Sequence, residues 1–235
     1  MQEQEVIVQA ATTILVRGKA QGGLETYLTK RPDTMRFLPG FYVFPGGTMD
    51  KSDQDARFAA RCAPIPLEQN PTGLSLDYFI TALRETFEEV GILLARDSSG
   101  RLLTTEQCQE QRSRLLNKEV SFYDILEQED LQLATDLLRY FGHRLTPRRL
   151  SKRRFETRFF LLVLPEGLEP IPHAGEIAAA GWEDATAALA TWSNGEYQMV
   201  PPTVKALETL SRYQNPDSLW KSSDGVGTPT AQELE

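Results

Sequence analysis

The chain has 235 residues, 40% of them hydrophobic, and a formal net charge of −8. That length can bury a substantial core in one enlarged domain or two small ones, and an acidic balance with no long basic run argues against a general nucleic-acid binder. Cys62 and Cys108 are too few for a disulfide framework and lack metal-type spacing, residues 1–5 carry no signal-peptide pattern, and the longest apolar run, Phe159 to Leu164, is too short to span a bilayer. A cytoplasmic protein with reduced thiols and no membrane partner is expected.

In chain order, strands are predicted over about 6–16 and 24–30, joined by a turn around Gln21-Gly22-Gly23. A short strand, Tyr42 to Phe44, runs into the glycine pair Gly46-Gly47. A helix is predicted over about 54–62, followed by a proline-rich stretch from Pro64 to Pro71. The next helix runs from about Ser75, a residue type suited to the N-cap, to Val90, and Gly91 stops it. From about Thr104 to Leu138 the pattern is helical, entered at Ser98-Ser99-Gly100. Strands return at about 140–145, 155–164 and 177–182, with helices over about 184–190 and 201–213. Residues 214–235 are polar, with glycine, serine and proline, and read as a tail or a partner-contacting arm.

The helix ending at Val90 carries the chemistry. At about 100° per residue, Glu85, Glu88 and Glu89 share one narrow stripe. Leu76, Ile80, Leu83, Phe87 and Val90 share the opposite, apolar one. An acidic face is ordinarily a solvated surface, yet three like charges on one stripe repel one another. A hard divalent cation is the natural group to hold them, because such ions take oxygen ligands and leave positions for phosphate and water. The glycine pair upstream suits close approach of backbone to a ligand. Lys30, Arg31 and Arg36 place three cations just before that pair, a composition suited to phosphate. Downstream, alternation along Arg153 to Leu164 puts Arg154 and Arg158 on one strand face and Phe155 and Phe159 on the other.

These pieces resemble the Nudix box, G-x5-E-x7-R-E-U-x-E-E-x-G-U with U aliphatic, opened by Gly47 and closed by Arg84 to Ile92, with Thr86 where an aliphatic residue is usual. Gly47 and Arg84 stand 37 positions apart, 23 more than an uninterrupted box allows. Asp53 falls where the box has its first glutamate. A lengthened loop costs little entropy if its ends stay close. The run from Leu28 to Gly47 resembles the motif of Nudix enzymes acting on coenzyme A, with Tyr27 and Pro32 as departures. Arg153 to Phe160 is similar to a strand of the acyl-CoA diphosphatase-like branch, where an insertion also interrupts the box.

The resemblance implies an α/β fold of the α+β kind: a Nudix-type α/β/α sandwich with a mixed sheet and helical insertions. One domain over 1–213 is expected, with insertions at 48–73 and 97–138 and a tail at 214–235. It implies Mg²⁺ or Mn²⁺ held by Glu88 and Glu89, with Glu85 as ligand or general base, Arg84 orienting Glu85, and the Gly46 carbonyl as a further ligand. Glu176 is the first choice for an acid outside the box, ahead of Glu166. His143 and His173 have no partner visible in sequence and are read as a sheet residue and a loop residue. Lys30, Arg31, Arg36, Arg154 and Arg158 are the expected substrate-binding residues. The implied activity is hydrolysis of the diphosphate of coenzyme A or acyl-CoA to 3′-phospho-AMP and the (acyl-)phosphopantetheine. An ADP-ribose or nucleoside-diphosphate-sugar pyrophosphatase is one alternative, and a nucleotide-sensing module that does not cleave is another. A small-molecule nucleotide is the expected partner, and a homodimer is left open.

Overall fold

A computed structural model of the protein describes residues 6–148 and 153–229. Strands β1 (Val6–Gly18), β2 (Leu24–Lys30), β3 (Tyr42–Val43) and β4 (Gly46–Thr48) lead into helix α1 (Leu76–Val90). A small two-stranded sheet, β5 (Ala95–Arg96) with β6 (Gln132–Leu133), brackets helices α2 (Gln109–Leu116) and α3 (Phe122–Gln128). Strands β7 (Arg139–Leu145), β8 (Arg153–Val163) and β9 (Ala179–Asp184) precede helices α4 (Ala185–Ser193), α5 (Pro201–Leu210) and α6 (Pro216–Trp220).

The main sheet runs β3-β2-β1-β8-β7, with β9 paired to β2 and β4 paired to β1. Among the described strands of this sheet only β1 and β8 pair in parallel, in register from Val6 opposite Arg153 to Val16 opposite Val163, so the sheet is mixed. Alternation along β8 sends Phe160 and Leu162 into one core and Phe159 and Leu161 into the other. The first core holds α1 and α3. The second holds α4, α5 and Leu219 of α6. The result is the three-layer α/β/α sandwich expected from the motif.

One topological detail positions the site. Along one edge of β1, Val16–Gly18 pair with β2, whereas Ala10–Thr12 pair with β4. Pro45 lies at the division, its carbonyl accepting from the Thr13 amide at 2.8 Å. The β1 edge is thus shared, and the glycine pair is delivered into the sheet directly beside α1. A Cβ on Gly46 would come within 2.4 Å of the Ala11 carbonyl oxygen. No larger residue fits there without backbone movement.

Several local expectations change. Residues 54–62, predicted as one helix, form parts of two 3₁₀ turns, Lys51–Gln54 and Ala56–Ala60. Asp50 and Asp55 accept from the Ser52 and Arg57 amides, and these local bonds divide the segment. The helical pattern stops at Gln128, and Gln132–Leu133 are strand because Leu133 pairs with Ala95. Ser75 occupies the N-cap position of α1 without a side-chain cap bond, while Gly91 ends the helix in the left-handed region at φ 75°. Cys62 and Cys108 are free thiols, and burial pushes their pKa values up to about 12 and about 11. Among the described residues no helix is long and apolar enough to cross a membrane.

The polar C-terminal stretch departs furthest from expectation. Leu219 and Val226 are fully buried, although residues 230–235 lie outside the described part. Asn215 caps α6 by accepting from the Ser218 amide at 2.9 Å. The Val226 amide donates to the Phe141 carbonyl at 2.8 Å, and the His143 amide to Gly227 at 3.0 Å, covering the outer edge of β7. Buried Arg139 donates to the carbonyls of Ser222, Leu219 and Asp224. Two apolar side chains and one arginine therefore dock a segment whose composition is otherwise that of a solvated arm. Leu219→Ala should lower the unfolding free energy by about 2–5 kcal/mol in urea titration; a loss under about 0.5 kcal/mol would show that this segment is not part of the core.

Candidate active site

The site is built around Arg84, which is buried on α1. Its Nε and Nη2 grip Asp53 bidentately at 2.8 and 2.9 Å. Its Nη2 also donates to the Thr48 carbonyl at 3.0 Å. Its Nη1 donates to Glu85 at 2.9 Å and Glu88 at 3.0 Å. Every guanidinium N–H is thereby engaged. Asp53 is held in turn by the Thr81 hydroxyl at 2.9 Å and the Asp50 amide at 2.9 Å. Asp53 thus stands where the first acid of the box was placed, and the inserted loop brings its carboxylate onto Arg84.

Glu85 lies against the glycine strand: a Cβ on Gly47 would sit 2.5 Å from its carboxyl group. Glu89 accepts from the Gly46 amide at 3.1 Å. The hydrogen bond between Gly46 and Glu89 is made by the Gly46 N–H, and its carbonyl stays the candidate ligand expected from the motif. Thr86, the departure from the motif, is accommodated because its hydroxyl donates to the Ala82 carbonyl at 2.7 Å and meets Thr13 Oγ1 at 2.9 Å.

The electrostatics reflect acids removed from water. Burial pushes Glu85 up to about 7, reinforced by Glu88 and opposed by Arg84. Burial also raises Glu88, with Arg84 opposing and Glu176 adding to the rise. Glu89 is raised well above the usual carboxylate range by burial, then by Glu85 and Glu176, with the Gly46 amide and Arg31 acting against the rise. Burial lowers the Arg84 pKa, but hydrogen bonds to Asp53 and the charges of Glu85, Asp53 and Glu88 outweigh it, so the net shift is upward.

Glu176 joins this group from the loop ahead of β9, lining a cleft of about 610 Å³ together with Arg84 and Glu88. That loop is tied to the end of α1 by the Ile171 amide on Val90 and the His173 amide on Glu89, both at 2.8 Å. Glu166 is exposed and lines no part of this cleft. Arg112 of α2, which the sequence did not single out, caps the same helix end. It donates to the Glu88 carbonyl at 3.0 Å, the Glu89 carbonyl at 2.9 Å and the Ile171 carbonyl at 2.8 Å. No motif marks such an arginine, because its targets are backbone atoms.

The expected cations divide. Arg31 is close enough to Glu89 to lower its pKa, and its Nε donates to the Phe37 carbonyl at 2.9 Å. Lys30 points toward the Tyr42 ring at 6.0 Å, and Arg36 is exposed on the loop after β2. Arg154 and Arg158 are not brought to the cleft. Arg154 is buried, with its Nε on the Thr146 carbonyl at 2.6 Å. Arg158 pairs with Glu156 at 2.8 Å and lies over Tyr78. Tyr78 is roughly 15 Å along α1 from Glu88, given the rise per residue. His143 is a β7 residue whose Nδ1 meets the Tyr140 hydroxyl at 3.0 Å, and His173 lies in the loop before Glu176.

Among the described residues, no three His, Cys, Asp or Glu side chains converge on one ready-made metal shell. Glu85 and Glu88 turn toward Arg84, while Glu89 turns toward Gly46. The donor chemistry nevertheless fits a hard divalent ion: carboxylate oxygens from consecutive turns of one helix, too little positive charge to offset them, and a neighbouring cleft. Glu85, Glu88 and Glu89 are the residues that would hold such an ion. Removing the Asp53 side chain would leave the Arg84 charge buried and half its bonds unmade. Asp53→Ala should therefore destabilise the protein by about 3–5 kcal/mol in urea unfolding; an unchanged midpoint would show that Arg84 does not depend on Asp53.

Comparison with known proteins agrees with this geometry. A family profile described as the NUDT19 Nudix domain matches residues 67–210. The crystal structure of a NUDIX hydrolase from Alicyclobacillus acidocaldarius superposes with a TM-score of 0.83 at 34% identity, covering 96% of this chain and 100% of that one. The acyl-coenzyme A diphosphatase NUDT19 of Gallus gallus is 28% identical over 85% of this chain and 64% of its own length. The putative nudix hydrolase 7 of Caenorhabditis elegans is 25% identical over 81% of this chain and 57% of its own length. The chain thus spans roughly six tenths of the length of these curated relatives. Profile, superposition and acid helix concur, and the chain belongs to the Nudix hydrolase family, in its NUDT19 branch.

Proposed function

We propose that this protein hydrolyses the diphosphate linkage of coenzyme A or an acyl-CoA, yielding 3′-phospho-AMP and the (acyl-)phosphopantetheine. The observation that carries this reading is the gathering of Glu85, Glu88, Glu89 and Glu176 beside the Gly46-Gly47 strand. Together with Asp53 they outnumber the one buried arginine among them. Such a surplus of negative charge, withdrawn from water at Asp53, Glu85 and Glu89 although Glu176 is exposed, is costly unless a cation joins it. Similarity to acyl-coenzyme A diphosphatases supports the substrate class. So does the cleft itself, where Leu115, Leu116, Val120 and Phe122 of the helical insertion supply apolar wall.

Divalent ions are typical of the family, and one held here supplies charge neutralisation at the phosphate oxygens. Glu88 and Glu89 are assigned as its principal holders, with Glu85 beside them, kept in place by Arg84 and by contact with Gly47. Glu176 is assigned the proton. As a water oxygen attacks phosphorus and the bridging P–O bond breaks, one Glu176 carboxylate oxygen accepts the proton of that water. The bridging oxygen leaves on its own phosphate. Arg31, the expected cation closest in effect to Glu89, steadies the incoming anion. On this reading the helical insertion shapes one wall of the cleft.

Glu88→Gln and Glu89→Gln should each reduce metal-dependent turnover by about 10²–10³-fold. Thermal stability should be unchanged or higher, because each removes a buried charge. Coenzyme A, acyl-CoAs, ADP-ribose and nucleoside-diphosphate sugars, incubated with Mg²⁺ or Mn²⁺ and resolved by chromatography, test the substrate. Preference for coenzyme A esters supports the proposal. Preference for ADP-ribose would redirect it, and binding without product would replace hydrolysis by sensing.

A further inference from the structure

The turn between α2 and α3 reaches the same cleft, and its backbone contains an anomaly. Lys118 has φ 59°, in the left-handed region, and it lines the cleft with Arg84, Glu88 and Glu176. The Lys118 amide donates to the Leu115 carbonyl at 2.9 Å, and the Glu119 amide reaches back to Arg114 at 2.9 Å. These paired bonds form a Schellman ending, in which Lys118 takes the position that glycine ordinarily fills. A side chain there crowds its own following carbonyl. A lysine held in a glycine slot at the rim of a cleft points from backbone strain toward function.

Charge supplies the second, independent argument. Arg84 and Lys118 are the cations lining the cleft, and Arg84 has every N–H committed to Asp53, Glu85, Glu88 and Thr48. Lys118 is exposed, and among the described residues its ammonium has no ion pair. A diphosphate entering between carboxylates meets repulsion, so an uncommitted ammonium at the rim, in addition to Arg31, is able to receive it.

We propose that Lys118 is a phosphate-positioning residue: the C-terminal turn of α2 holds it in a strained conformation so that its ammonium meets an anionic oxygen of the substrate diphosphate. This rests on the hydrolase reading above for the identity of the substrate. The helical insertion then contributes recognition, not merely bulk, to the site.

The test separates stability from binding in one variant. Lys118→Gly relieves the turn, so its Tm should rise by about 2–4 °C. At the same time its KM for coenzyme A should rise about tenfold, with kcat nearly unchanged. Calorimetric binding of methylenediphosphonate in the presence of Mg²⁺ should weaken by a similar factor. Lys118→Arg should recover most of that binding without the gain in Tm. Raising the ionic strength should narrow the gap between wild type and Lys118→Gly. A Lys118→Gly protein with wild-type KM and wild-type affinity for methylenediphosphonate overturns the proposal. Should the wild type cleave no member of the diphosphate panel yet bind methylenediphosphonate in a Lys118-dependent way, the hydrolase reading falls and this one stands.

Discussion

The buried guanidinium of Arg84 is the constraint on which the site depends. It sits at the meeting of three pieces of chain that are distant in sequence: the inserted loop through Asp53, the glycine strand through the Thr48 carbonyl, and α1 itself through Glu85 and Glu88. A planar fork with five donors is the one side chain able to satisfy all of these at once. Burying such a network adds little net stability over an apolar replacement. Its value is geometric, because a side chain bonded in every direction has one position. The carboxylates that touch it inherit that position, and functional groups need support of this kind.

The second constraint is backbone proximity. Sharing one edge of β1 between β2 and β4 lets a glycine strand run between β1 and the acid face of α1: a Cβ on Gly46 would strike the backbone of Ala11 and Thr12, and one on Gly47 would strike the Glu85 carboxyl. The carboxyl of Glu85 thereby contacts main chain, and a backbone N–H reaches Glu89. Both acids are withdrawn from water by this approach, which is the leading cause of their raised pKa values. Sheet topology and acid strength are thus consequences of the same two glycines.

Much of this was legible in the chain because it is written in local periodicity and fixed spacing. The end of α1 at Gly91 and the whole of β2 fall where the pattern places them. Glu176, singled out by its place before the last strand, lines the cleft, and Asp53, singled out by its offset from Gly47, meets Arg84. What could not be read depends on partners far along the chain. Arg112 serves carbonyl oxygens, which leave no mark on sequence. Gln132–Leu133 becomes strand only because Ala95 lies opposite. Leu219 and Val226 look like stray apolar residues until Arg139 and the edge of β7 are seen to receive them. Arg154 and Arg158 share a strand face as their alternation implies, but where each side chain goes depends on distant partners: Arg158 lies over Tyr78 of α1, and Arg154 donates to the Thr146 carbonyl.

Arg112 also changes how the helical segment between β5 and β6 should be regarded. It grips the last carbonyls of α1 from outside, much as a splint holds the end of a beam. The segment is therefore no interchangeable ornament. A homologue that lost it, or a chimera that exchanged it for another enzyme's version, would inherit a loosened catalytic terminus unless the incoming piece brought its own brace. Any replacement within this segment has to leave that arginine in reach of the α1 carbonyls to keep the brace.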